Sequence, residues 1–120
     1  MKTFRFLDFP VYQDSKHLYL TCISITRSFP RQYWELGEQL RRAALSVCLN
    51  IAEGSAKYSD KDFKRYLENA LGSINESFAC LEIMYEHKLM PTTVFSTIQE
   101  EATSVAKQLG GLAKKLRSSG

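Results

Sequence analysis

The chain has 120 residues, with 16 Lys and Arg against 13 Asp and Glu, a net charge of +3, and 44% hydrophobic residues. That length fits one domain with a single core, and the apolar fraction excludes a disordered chain. No apolar run approaches the roughly 20 residues that cross a bilayer, and the scarcity of Pro, three residues in all, leaves long segments that favour helices.

The opening stretch, MKTFRFLDFPVYQ, lacks a signal-peptide core because Arg5 and Asp8 interrupt it. The expected location is the cytoplasm, with no membrane partner. The first helix is predicted over about 9–28. Val11, Ser15, Leu18, Cys22, Ile25 and Phe29 repeat at three-four spacing, one stripe of a bundle helix. Asp8 is the expected N-cap, and Phe29-Pro30 ends the segment because the residue before proline avoids helical geometry.

The second helix is predicted over about 34–53, closed by Gly54. Leu36, Leu40, Ala43 or Ala44, Val47 and Ile51 form one stripe. Leu45, Cys48, Leu49 and Ala52 form a second. The third is predicted over about 60–87, with Ser59 as N-cap and Asp62 completing a weak capping box. Phe63, Leu67, Ala70, Ile74, Ser77, Leu81 and Met84 keep a heptad, and Gly72 inside it suggests a close helix–helix contact. The fourth is predicted over about 92–116, with Pro91 suiting its start. Phe95, Ile98, Ala102, Val105, Leu109, Leu112 and Leu116 give the cleanest heptad in the chain. Four amphipathic helices with short connections imply an all-α, antiparallel up-down-up-down four-helix bundle.

The run Phe29-Pro30, Gln39-Leu40-Arg41-Arg42-Ala43-Ala44, Asn50-Ile51-Ala52-Glu53-Gly54, Ser59 with Phe63, then Gly72-Ser73 resembles a bacterial four-helix-bundle family. Its members are encoded in intervening sequences of the large-subunit ribosomal RNA gene and are sometimes labelled ribosomal proteins. A related branch is the accessory variability protein of diversity-generating retroelements. The resemblance spans Phe4 to Leu116. It implies a bundle that assembles into a ring-like homo-oligomer, a pentamer, and, in the retroelement branch, binding to nucleic acid and to a reverse transcriptase. Two positions depart from the family pattern. Cys48-Leu49 stand where Pro-Ser is frequent, and Glu35-Leu36 where Gly-Leu is. Losing a mid-helix proline predicts a straighter second helix.

A second apolar stripe on one helix of a four-helix bundle needs a partner, because no helix there is central. Leu45, Leu49 and Ala52 are therefore the expected subunit contact; a wide intramolecular core with some exposed apolar surface is the alternative. Arg41, Arg42 and Glu53 are expected as structural salt-bridge groups, with Glu68 or Glu76 as partners for the arginines and phosphate contact as the other use. Asn50 is expected to be satisfied by a neighbouring backbone or subunit, since an unpaired buried amide is costly.

Up-down topology places the N-terminus, the connection between the second and third helices, and the C-terminus at one end. That end collects Lys2, Arg5, Lys57, Lys61, Lys64, Arg65, Lys114, Lys115 and Arg117. Its acids are Asp8, Glu53, Asp60 and Asp62. The other end holds Glu35, Glu38, Glu82, Glu86, Glu100 and Glu101, against Arg27, Arg31 and Lys88. Repeated around a ring, the basic end becomes an annulus able to bind phosphates by counterion release. Lys57, Lys61, Lys64, Arg65, Lys114, Lys115 and Arg117 are the candidate nucleic-acid contacts. Tyr58, Phe4 and Phe6 share that end, where they either pack or stack on bases.

Enzyme chemistry is not expected. The chain has no Gly-rich phosphate loop, nucleophile elbow or paired metal-ligand motif, and His17 and His87 have no Glu-x-x-His partners. No cofactor or metal is expected, and the three cysteines (Cys22, Cys48, Cys80) read as buried reduced thiols. The leading expectation is a non-catalytic, homo-oligomeric protein binding structured RNA or DNA, beside a reverse transcriptase. The alternative is a protein–protein scaffold with no nucleic-acid role.

Overall fold

The computed structural model describes residues 3–117, apart from the side chain of Arg117. A 3-10 turn at Arg5–Asp8 precedes α1 (Pro10–Thr26). A second 3-10 turn at Arg31–Tyr33 leads into α2 (Trp34–Ser55), followed by α3 (Asp60–Glu86) and α4 (Thr92–Arg117). No strand occurs among the described residues, and none of their helices is long and apolar enough to cross a membrane.

The helix ends show why these boundaries hold. Pro10 occupies the first turn of α1, where its missing N–H is no loss and its φ is already helical. Phe9 is the N-cap and makes no side-chain cap bond, so Asp8 does not have the capping role expected of it; it closes the preceding turn. The helix ends at Thr26 rather than Ser28. There the Thr26 hydroxyl donates to the Cys22 carbonyl at 2.9 Å, and Phe29 N–H turns back to the Thr26 carbonyl. The Ser59 hydroxyl accepts from the Asp62 N–H at 3.1 Å, the expected cap of α3. At the other end of α3, Lys88 takes a left-handed φ of 58°. Its N–H reaches the Tyr85 carbonyl, and the Leu89 N–H reaches that of Met84, so two orphan carbonyls are satisfied together. The Pro91 carbonyl accepts from Val94 and Phe95 and opens α4.

Successive helices are antiparallel neighbours, as three seams show. Arg41 on α2 reaches Thr26 on α1. Ser73 on α3 donates to Ser46 on α2, and Tyr66 to Glu53 one end further along. Gln108 on α4 donates to Asp14 on α1. The diagonal pairs α1/α3 and α2/α4 make no close backbone approach among the described residues, so the four helices form a square. Its envelope is 46 × 24 × 20 Å, and a 27-residue helix such as α3 fills most of the long axis at about 1.5 Å per residue.

The core follows the heptads. Val11, Leu18 and Cys22 of α1 meet Leu40, Val47 and Ile51 of α2, Leu67, Ile74 and Leu81 of α3, and Ile98, Val105 and Leu109 of α4. Burying each large aliphatic side chain contributes about 1.5–3 kcal/mol. Cys48 is buried and does not belong to the exposed second stripe of α2, because it lies four residues after Ala44 and three before Ile51, on the same buried face. All three cysteines are free and buried. Burial, aided by the nearby Glu101 carboxylate, pushes the Cys22 thiol up to about 12. Burial pushes Cys48 up to about 11 and raises Cys80 as well.

Two glycines exchange their expected roles. A Cβ at Gly72 would meet nothing within 4 Å, so no close helix contact explains it. Gly72 sits two residues before the core position Ile74, about 200° round the helix and therefore outward. Gly54 does not stop α2, which continues to Ser55. Instead α2 and α3 pack so closely there that a Cβ would stand 2.7 Å from the Cβ of Tyr66.

Candidate nucleic-acid interface

Three chain segments converge at one end of the bundle. The Arg5 Nε donates to the Ser55 carbonyl at 2.8 Å, capping the C-terminus of α2 from fifty residues away. Its guanidinium lies 5.7 Å from the ring centre of Phe9 and 5.4 Å from that of Phe63. This cation ties the N-terminal turn to the bundle while the residue as a whole stays exposed. Phe6 packs edge-on to Tyr12 with ring centres 4.8 Å apart, while Phe4 remains exposed.

The α2–α3 connection is short and well tied. Ala56 and Lys57 N–H groups return to the carbonyls of Glu53 and Gly54, and the Phe63 N–H returns to Ser59. Lys57 folds back so that its ammonium sits 5.1 Å from the ring centre of Tyr66. Arg65 approaches the same ring at 5.6 Å and lies 3.8 Å from Asp62. Lys64 is 4.0 Å from Glu68, one turn on. Lys61 and Lys114 are exposed and have no ionic partner among the described residues. Lys115 is exposed too. The side chain of Arg117, like the whole of Lys2, lies outside the described residues. The seven expected contacts are thus not equivalent: Lys57, Lys64 and Arg65 are already engaged, and Lys61 and Lys114 point to water.

Lys107 is a cation that charge sorting by chain end passed over. It is exposed and stands seven residues before Lys114, two turns up the same face of α4. Its signal was the heptad itself. Tyr58, at the tip of the connection, is 109% exposed relative to its reference.

Arg41, Arg42, Asn50 and Glu53 all make side-chain contacts within the bundle, though the two arginines meet neither Glu68 nor Glu76. Arg41 donates to the Thr26 hydroxyl at 2.8 Å and lies 4.7 Å from the ring centre of Trp34. Arg42 is 3.7 Å from Glu38 within its own helix. Glu76 accepts instead from Gln39. α2 presents Gln39, Ser46 and Glu53 to α3, and Arg41, about 200° round the wheel from Gln39, falls on the side of α1; Arg42, about 60° from Gln39, is exposed and pairs within its own helix. Asn50 donates to the Ser46 carbonyl at 2.9 Å and to its hydroxyl at 3.0 Å. Glu53 accepts from the Tyr66 hydroxyl at 3.1 Å.

On the outer face of α2, Leu45 is 37% and Leu49 56% exposed, and Ala52 is half-buried. Leu20 of α1 is also exposed; counting along the antiparallel pair from the Arg41–Thr26 bond puts it level with Val47, between Leu45 and Leu49 along the helix. No apolar pattern in α1 had singled it out. His17 Nε2 lies 3.6 Å from Glu101 across the α1–α4 seam, and no metal-ligating group of three occurs among the described residues.

A crystal structure of a protein of unknown function from the S23 ribosomal protein family of Bacteroides thetaiotaomicron VPI-5482 has the same fold. The TM-score is 0.71, at 23% identity, covering 87% of this chain and 98% of that one. No curated protein matches the chain. The family described as 23S rRNA-intervening sequence protein matches residues 7–111, from the N-terminal turn to the last turns of α4. The chain belongs to the 23S rRNA-intervening sequence protein family.

Proposed function

We propose that this protein is a non-catalytic, homo-oligomeric accessory protein that binds the phosphates of structured RNA or DNA through its basic bundle end. The observation that carries the reading is the pair Lys61 and Lys114, exposed at that end without an acid among the described residues to neutralise them. Lys107 extends the same charge up α4, and Glu35, Glu38, Glu82 and Glu86 keep the opposite end acidic. The Glu82 carboxyl is itself held above its ordinary range by its neighbour Glu86, a sign of how like charge gathers there. Self-association through Leu45, Leu49 and Ala52 would set several basic ends side by side. The resemblance to the retroelement branch supports a reverse transcriptase as protein companion.

Binding to a labelled structured RNA, titrated in salt, tests the reading. Affinity should fall linearly in log–log form as salt rises. Replacing Lys61 and Lys114 with Glu should reduce that slope by about 2 for each protomer that uses both lysines, and should weaken binding without regard to sequence. No binding at low salt would leave the basic end as a solvated surface. The exposed leucines of α2 and α1 would then favour a protein–protein scaffold.

A further inference from the structure

We infer that Tyr58 is a stacking platform, and that the nucleic acid taken by the basic end is one that offers unpaired bases. This rests on the phosphate-binding reading above and names the class of ligand for the same site. Tyr58 makes no ring contact and no hydrogen bond among the described residues, and its side chain is fully in water. The segment that carries it is not loose. Hydrogen bonds from Ala56, Lys57 and Phe63 to the turns on either side, and the Ser59 cap, fix the backbone before and after it. An aromatic at the apex of a helix–helix connection, clear of its own protein and carried on a tied backbone, can receive a flat partner with only its side-chain rotation left to order.

The charges around it select the partner. Lys57 before the ring is folded onto Tyr66, whereas Lys61, three residues after it, is exposed and is the free cation that the same connection offers to a phosphate. Phe4 adds a second exposed ring at the same end. Exposed rings and free cations at one end suit a single strand, in which bases and phosphates alternate along the chain. A duplex hides base faces within its own stack and would present only phosphates to this surface, leaving Tyr58 unused. Loops, bulges and single-stranded segments expose the faces that Tyr58 can cover.

The test compares an unstructured single-stranded RNA with a duplex of equal phosphate number, at one low salt concentration. The proteins are wild type, Tyr58→Ala, Tyr58→Phe and Lys61→Glu. Tyr58→Ala should weaken single-strand binding by about fivefold to a hundredfold, the usual range for one lost base stack, and leave duplex binding unchanged. Tyr58→Phe should restore single-strand affinity. Lys61→Glu should weaken both. If Lys61→Glu weakens both ligands while Tyr58→Ala affects neither, or affects both equally, stacking is overturned and the phosphate surface stands. If wild type binds neither ligand, the phosphate surface itself is overturned and the stacking role goes with it.

Discussion

At Gly54 a hydrogen atom sets the distance between two helices. A methyl group there would stand 2.7 Å from the Cβ of Tyr66 and 2.9 Å from the Cδ1 of Phe63. The Tyr66 Cβ is fixed to the backbone of α3 and cannot swing aside. Gly54→Ala should therefore cost about 1–3 kcal/mol in chemical denaturation, the usual range for overpacking, despite the helix propensity it gains. Gly72→Ala is the matched control. With nothing within 4 Å, it should stabilise by about 0.5–1 kcal/mol. Equal effects at the two sites would refute the close approach. The sequence places Gly72 inside a helix and Gly54 at the end of one, but not which of them touches a neighbour, because that depends on how each helix is rotated about its axis. Arg41 illustrates the same limit. Its charge invites an acidic partner, yet it found a threonine hydroxyl and an indole face on the side where α2 meets α1.

Whole elements were far more legible than single contacts. The heptads of α3 and α4 identified their buried faces, since a 3.6-residue period leaves little choice about which side is apolar. Thr26 and Gly54 moved the ends by a few residues because local side-chain bonds and close packing, not pattern, set them. Packing at element scale also controls the thiols. Cys22, Cys48 and Cys80 come from α1, α2 and α3, and burial lifts the first two to about 12 and about 11, from an ordinary value of 9.0. Above pH 9 an unfolded thiol loses its proton while the folded one keeps it. Stability is therefore complete below pH 9 and declines as pH rises toward the folded values, by about 1.4 kcal/mol per pH unit for each thiol. Cys22→Ala should make this decline shallower in urea midpoints measured from pH 8 to 11. Lysines and tyrosines titrate in both proteins, so the difference in slope isolates the thiol. Parallel slopes would mean that the buried sulfur does not couple folding to alkaline pH.

Seen whole, the molecule has two surfaces that one bundle cannot use up: the outer stripe of α2 and the basic end. The stripe was legible because an apolar helix face without an internal partner is a pattern anomaly. Which lysines remain free was only partly so. The Lys64–Glu68 and Arg65–Asp62 spacings are visible along the chain, but the approach of Lys57 to Tyr66 crosses between helices. The proposed assembly links the two surfaces. Leu49 is exposed and clear of the core, so Leu49→Glu should leave the circular dichroism of the bundle intact. It should also shift the native mass at micromolar concentration toward a single chain. A wild-type mass equal to one chain would refute self-assembly outright. If both proteins bind RNA, the single-chain variant should bind more weakly and with a smaller salt slope, because the slope counts the phosphates neutralised in each complex and linked sites gain through effective concentration. An unchanged slope in a dissociated variant would mean that one bundle end supplies every phosphate contact, and that assembly serves some purpose other than gathering charge.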